Sequence, residues 1–123
     1  PFIWVAYENV QIIDTRLEVE YNGRVIYGEN KAGHIPTAIS IPFNSLVDKD
    51  GFIKSREELE KYFEDKGLDK NKLQITYCTT GVRASYVAVI LTELGYKVRN
   101  YEPSFARYGR IRDNIYLLTH LLK

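Results

Sequence analysis

Leu73-Gln74-Ile75-Thr76-Tyr77-Cys78-Thr79-Thr80-Gly81-Val82-Arg83 is the stretch on which the reading of the fold turns. Its first five residues are short, apolar and rich in β-branched and aromatic side chains, the pattern of a buried parallel strand. A loop carrying a cysteine and a glycine follows. Beyond it Val87, Ile90, Leu91 and Leu94 recur at i, i+3, i+4 and i+7, which predicts a helix terminated by Gly95. Ala84, Ala88 and Val89 leave the other faces small or apolar, so this helix is expected to be largely buried. The stretch is therefore a strand, a tight loop and a helix in immediate succession.

Working outward, further strands are predicted at Phe2–Ala6, Val10–Ile13, Ile39–Ile41 (bounded by Pro36 and Pro42) and Lys97–Tyr101. Helical signals lie between them. Ser55-Arg56-Glu57-Glu58 is a capping box, in which Ser55 and Glu58 satisfy each other's backbone N–H groups. The helix it opens runs to about Lys66, with Gly67 as its stop. A last helix is predicted over Ile115–Leu122. Strands alternating with helices indicate an α/β fold, a mainly parallel central sheet flanked by helices. No repeat, low-complexity tract or linker interrupts it, so residues 1–123 read as a single domain.

Composition narrows the function classes. Apolar residues make up 45% and charged residues 27%, values of a soluble globular domain. The net charge of +1 arises from interspersed acids and bases, and basic clusters such as Arg107, Arg110 and Arg112 are short. Nothing resembles a stripe for nucleic acid. No apolar run approaches the length of a membrane span, and Pro1-Phe2-Ile3-Trp4-Val5 lacks the features of a secretory signal. A cytoplasmic setting is expected. The chain begins with Pro and contains no Met, which points to excision from a longer polypeptide.

A single cysteine excludes an internal disulfide framework and leaves two readings, an inert buried thiol or a nucleophile. The placement of Cys78 favours the nucleophile. Ligands of open α/β sheets bind beyond the carboxyl ends of strands. A strand–loop–helix junction also aims backbone N–H groups and a helix N-terminus at one point, which stabilises a thiolate. Gly81 lets the loop curl back, and Arg83 offers a positive charge. The predicted result is a cradle for an anion centred on sulfur.

These elements resemble the rhodanese family. The cysteine loop is similar to the family's Cys-x-x-Gly-x-[Arg/Thr] signature. Asp14-Thr15-Arg16 matches its early Asp-x-Arg, with Glu20-Tyr21 and Gly23 following. Gly33-His34-Ile35-Pro36-Thr37-Ala38 is close to its Gly-His-Ile-Pro-Gly-Ala element, and Leu94-Gly95-Tyr96 also fits. The match runs in order from about Val10 to Tyr108.

The resemblance implies a rhodanese-like domain working through a persulfide, with Cys78 as nucleophile and Thr79, Thr80, Gly81, Val82 and Arg83 as the persulfide and anion cradle. It implies thiosulfate as donor, cyanide or a thiol as acceptor, and no metal or organic cofactor. Asp14 and Arg16 read better as an ion pair fixing a strand end than as substrate ligands. His34 reads as a holder of its loop, because attack by an ionised thiol needs no base. Glu20 stands where mercaptopyruvate users of the family tend to carry Arg, and it would repel that donor's carboxylate.

The segment Asp14–Gly23, with the insertion Arg24–Lys31, resembles the C-terminal catalytic half of tandem-domain sulfurtransferases. A second rhodanese domain is thus a possible partner on the parent chain, and an apolar surface patch is expected where it sat. Two departures from the family pattern stand out. Glu102-Pro103-Ser104-Phe105-Ala106-Arg107-Tyr108 replaces the usual Asp-Gly-Ser-Trp-x-Glu-Trp stretch near the pocket rim, and Thr37 replaces a glycine.

Two rival functions bear on the same loop. A cysteine phosphatase or arsenate reductase needs Cys-x5-Arg to embrace a tetrahedral oxyanion, and here four residues separate Cys78 from Arg83. A non-catalytic docking or regulatory module would not need the cysteine that this chain keeps. A sulfur-relay role with a protein acceptor is the same chemistry with a different partner.

Overall fold

β-branched residues bounded by turn signals define the strands, and their pairing defines the sheet. The structure, a computed structural model, describes residues 8–24, 33–78 and 82–101. Its described elements are β1 (Val10–Asp14), α1 (Glu18–Tyr21), β2 (Ile39–Ser40), a 3₁₀ turn (Phe43–Leu46), α2 (Arg56–Asp65), β3 (Leu73–Tyr77), α3 (Val82–Glu93) and β4 (Lys97–Asn100). The four strands form a parallel sheet in the order β2-β1-β3-β4. The fold is α/β. The expected strand at Phe2–Ala6, the helix at Ile115–Leu122 and the rim segment from Glu102 lie outside the described residues.

Because side chains alternate along a strand, β1 feeds two separate cores, and the apolar residues of β3 join the first of them. Val10, Ile12, Ile75 and Tyr77 pack on one face with Ile35, Ala38 and Tyr101. Ile13 faces the other way and meets Ile41, Leu46, Leu59, Phe63, Val87, Leu91 and Tyr96, the layer built from α2 and α3. Each such aliphatic or aromatic side chain contributes roughly 1.5–3 kcal/mol on full burial. The register sets Asp14 beside Tyr77 at the carboxyl ends of the two central strands.

Several details differ from the expectations. Among the described strands β4 is last in the order, and its residues alternate between exposed and half-buried. α3 buries only one stripe, Ala84, Val87 and Leu91. Val82, Tyr86 and Val89 lie on the opposite side of the helix, and Val82 and Val89 are 74% and 63% exposed. A helix laid on one face of a sheet covers one side only, whatever its composition. Ser55 caps α2 by accepting from the Glu58 amide at 3.2 Å, but the Glu58 carboxylate receives the Ser55 hydroxyl rather than its amide. Gly67 ends that helix at φ +87° as predicted. Thr37, standing where the family pattern has glycine, takes φ +71°.

Candidate active site

The register that pairs Asp14 with Tyr77 gathers the site at the carboxyl end of the sheet. Thr15 reinforces it: its amide and its hydroxyl both donate to the Tyr77 carbonyl, at 3.0 and 2.9 Å. Cys78 is the next residue and is buried. The cysteine thus leaves the sheet at the end of β3, at a point held on the β1 side by the Thr15 amide and hydroxyl.

Asp14, Arg16 and Tyr77 form a buried polar network beneath it. The Asp14 carboxylate meets the Arg16 guanidinium at 2.7 Å and also accepts from the Arg16 amide at 3.0 Å. Tyr77 donates its hydroxyl to Asp14 at 2.8 Å and accepts from the Ile35 amide at 3.0 Å. Arg16 reaches on to the Gly33 carbonyl. Burial pushes the Tyr77 phenol well above its ordinary range, with the Asp14 charge acting in the same direction, so the hydroxyl stays a donor. Burial pulls the Arg16 guanidinium down, but hydrogen bonds and charge from Asp14 outweigh it and leave it raised. The pair fixes a strand end and ties the 33–35 loop to it, the structural reading of Asp14 and Arg16. His34 holds the same loop: its Nδ1 lies 2.8 Å from the Tyr21 carbonyl, and its ring stacks on Tyr21 with centroids 3.6 Å apart.

Arg83, the second residue of α3, carries its guanidinium to Glu20 in a two-pronged pair at 2.7 and 3.2 Å. Glu20 is buried in α1 and also accepts from the Leu17 amide at 3.1 Å. Burial raises the Glu20 carboxyl, but the Arg83 hydrogen bond, the Leu17 amide and the Arg83 charge together bring it below the ordinary carboxylate value. The guanidinium also lies over the Phe43 ring at 5.5 Å.

Of the residues expected to build the cradle, Cys78 is buried at the strand end, Val82 turns its side chain to solvent and Arg83 is committed to Glu20. Thr79, Thr80 and Gly81 lie outside the described residues. The partnership of Glu20 with Arg83 and the role of Tyr77 as a hub escaped the sequence reading. The partners stand 63 residues apart in both cases, and no local periodicity links them.

A family model described as the Rhodanese-like domain matches residues 5–110. The chain belongs to the rhodanese family. It is 38% identical over 109 residues to a Mycobacterium leprae protein named "Putative thiosulfate sulfurtransferase", covering 81% of this chain and 39% of that one. A protein of the same name from Saccharopolyspora erythraea is 36% identical over 115 residues, covering 86% of this chain and 41% of the relative. The rhodanese domain therefore spans about two-fifths of the length of these curated relatives. Among solved structures, Tum1 from Saccharomyces cerevisiae superposes with a TM-score of 0.72 at 24% identity, covering 87% of this chain and 39% of that one. An anaerobic ergothioneine biosynthesis enzyme from Chlorobium limicola does so at 0.77 and 23% identity, covering 87% and 28%. At those identities the likeness is one of fold. Among the described residues no helix is long and apolar enough to cross a membrane.

Proposed function

We propose that this rhodanese domain is a thiosulfate sulfurtransferase that carries sulfane sulfur on Cys78. The observation that carries the reading is the position of Cys78, the residue after the central strand β3, followed closely by the start of the twelve-residue helix α3. Two displacements balance the chemistry. The Cys78 thiolate forms a bond to the outer sulfur of thiosulfate, the sulfur–sulfur bond of the donor breaks, and its electron pair leaves with sulfite. Cyanide or a thiolate then attacks the outer sulfur of the persulfide and returns Cys78 as thiolate. Backbone N–H groups of residues Thr79 to Arg83 would hold the persulfide, aided by the N-terminus of α3. Neither step needs a metal or an organic cofactor.

The test is thiocyanate formation from thiosulfate and cyanide by the domain and by Cys78→Ser. Turnover in the first and loss to background in the second are expected. A folded, reduced domain without turnover, and without gain of one sulfur atom in mass after thiosulfate treatment, would sink the proposal. The exposed stripe of Val82, Tyr86 and Val89 beside the loop supports a second reading, a relay to a protein thiol or a neighbouring domain of the parent chain. In that case the mass gain appears but cyanide draws little thiocyanate.

A further inference from the structure

Two ion pairs share the carboxyl end of the sheet, Asp14 with Arg16 and Glu20 with Arg83. Both carboxylates are fully buried, and Arg16 also acts electrostatically on Glu20. The formal charges of the four side chains cancel. A chain of contacts brings the outer pair to the cysteine: the Arg83 guanidinium lies over Phe43, and the Phe43 amide donates to the Thr15 carbonyl at 2.9 Å. Thr15 in turn donates twice to the Tyr77 carbonyl, one peptide from Cys78. Arg83 also lies in the first turn of α3, the helix that begins four residues after Cys78, so a charge left unbalanced there would act on an anion arriving at the sulfur.

Resting on the sulfur-transfer reading above, we propose that Glu20 is a positioning residue that keeps Arg83 in a neutral pair, so that the site receives its anionic donor without net guanidinium charge. The donor and the leaving product carry equal charge in that reaction. A bare guanidinium would hold thiosulfate and sulfite alike, and binding that is uniform along the reaction lowers KM without raising kcat.

The test reads the potential at Cys78 without requiring turnover. Alkylation rates with iodoacetate, an anion, and iodoacetamide, its neutral analogue, are measured on the same protein. Both reagents consume the same thiolate, so the ratio of rates cancels the thiolate fraction and reports local charge. Glu20→Gln should raise the iodoacetate-to-iodoacetamide ratio by about threefold or more at low ionic strength, and added salt should erase the gain. Arg83→Gln, which leaves Glu20 unbalanced, should lower the ratio below wild type and serves if Glu20→Gln fails to fold. The Glu20→Gln/Arg83→Gln double variant should return to the wild-type ratio. If thiosulfate turns over, Glu20→Gln lowers its KM with no rise in kcat. A ratio that moves in neither single variant, or a Glu20→Gln effect that persists without Arg83, overturns the inference. Absence of both thiocyanate production and the one-sulfur gain in mass overturns the functional reading instead, and the alkylation ratio still reads.

Discussion

At the scale of single residues, Tyr77 shows how a buried polar atom is kept satisfied in the core. Its hydroxyl sits between an acceptor on β1 and a donor in the 33–35 loop, so neither the Asp14 carboxylate nor the Ile35 amide loses that partner in the core. Removing that hydroxyl leaves both groups short of a partner where water does not reach. Tyr77→Phe should cost about 1–3 kcal/mol in urea unfolding, although it deletes one atom. A loss under ~0.5 kcal/mol would mean that the network is dispensable. The position of Cys78 was legible in the sequence at this scale because the strand before it and the helix after it are local in the chain. Tyr77 was not: one of ten tyrosines, it reads as packing until its partners 42 and 63 residues away are in place.

Helices were legible in proportion to their length. α2 announces itself by a Ser55 cap and a Gly67 stop, and α3 by apolar residues at helical spacing. α1, only four residues, is shorter than any period can reveal, and the 3₁₀ turn at Phe43–Leu46 is equally silent. Yet α1 supplies Glu20, the partner that commits Arg83 and so joins the start of α3 to β1's neighbourhood. That junction has a pH signature. The Glu20 carboxyl lies below its ordinary value in the folded chain, so its contribution to stability is complete above the unfolded value of about 4.3. The contribution fades as pH falls through the lower folded value. Urea unfolding of wild type and Glu20→Gln at pH 7, 5, 4 and 3 should show wild type losing its advantage on the acid side. Parallel stability curves for the two proteins would refute this linkage.

For the whole molecule, the alternation of strands and helices was enough to read an α/β sheet, while the exposed side of α3 was not foreseeable from composition. Apolar residues all round a helix state what it can bury, and only the layer arrangement decides which side it does bury. Phe52, at 72% exposure, adds a second apolar point on the surface, in the turn after Asp48. The long reach of the ties around Cys78 has a further consequence, in the order of events during folding. Thr15 binds Tyr77 across 62 residues, and Asp14 and Glu20 find their partners across 63. Such contacts carry a loop-closure penalty and form only when the sheet itself closes. The environment of the thiol is then expected to form together with the sheet, not to be inherited from the short strand that bears it. In a refolding time course quenched by iodoacetamide, the native alkylation rate of Cys78 should emerge in step with sheet formation followed by circular dichroism. Its appearance in an earlier phase would mean that the strand and its loop prepare the thiol on their own.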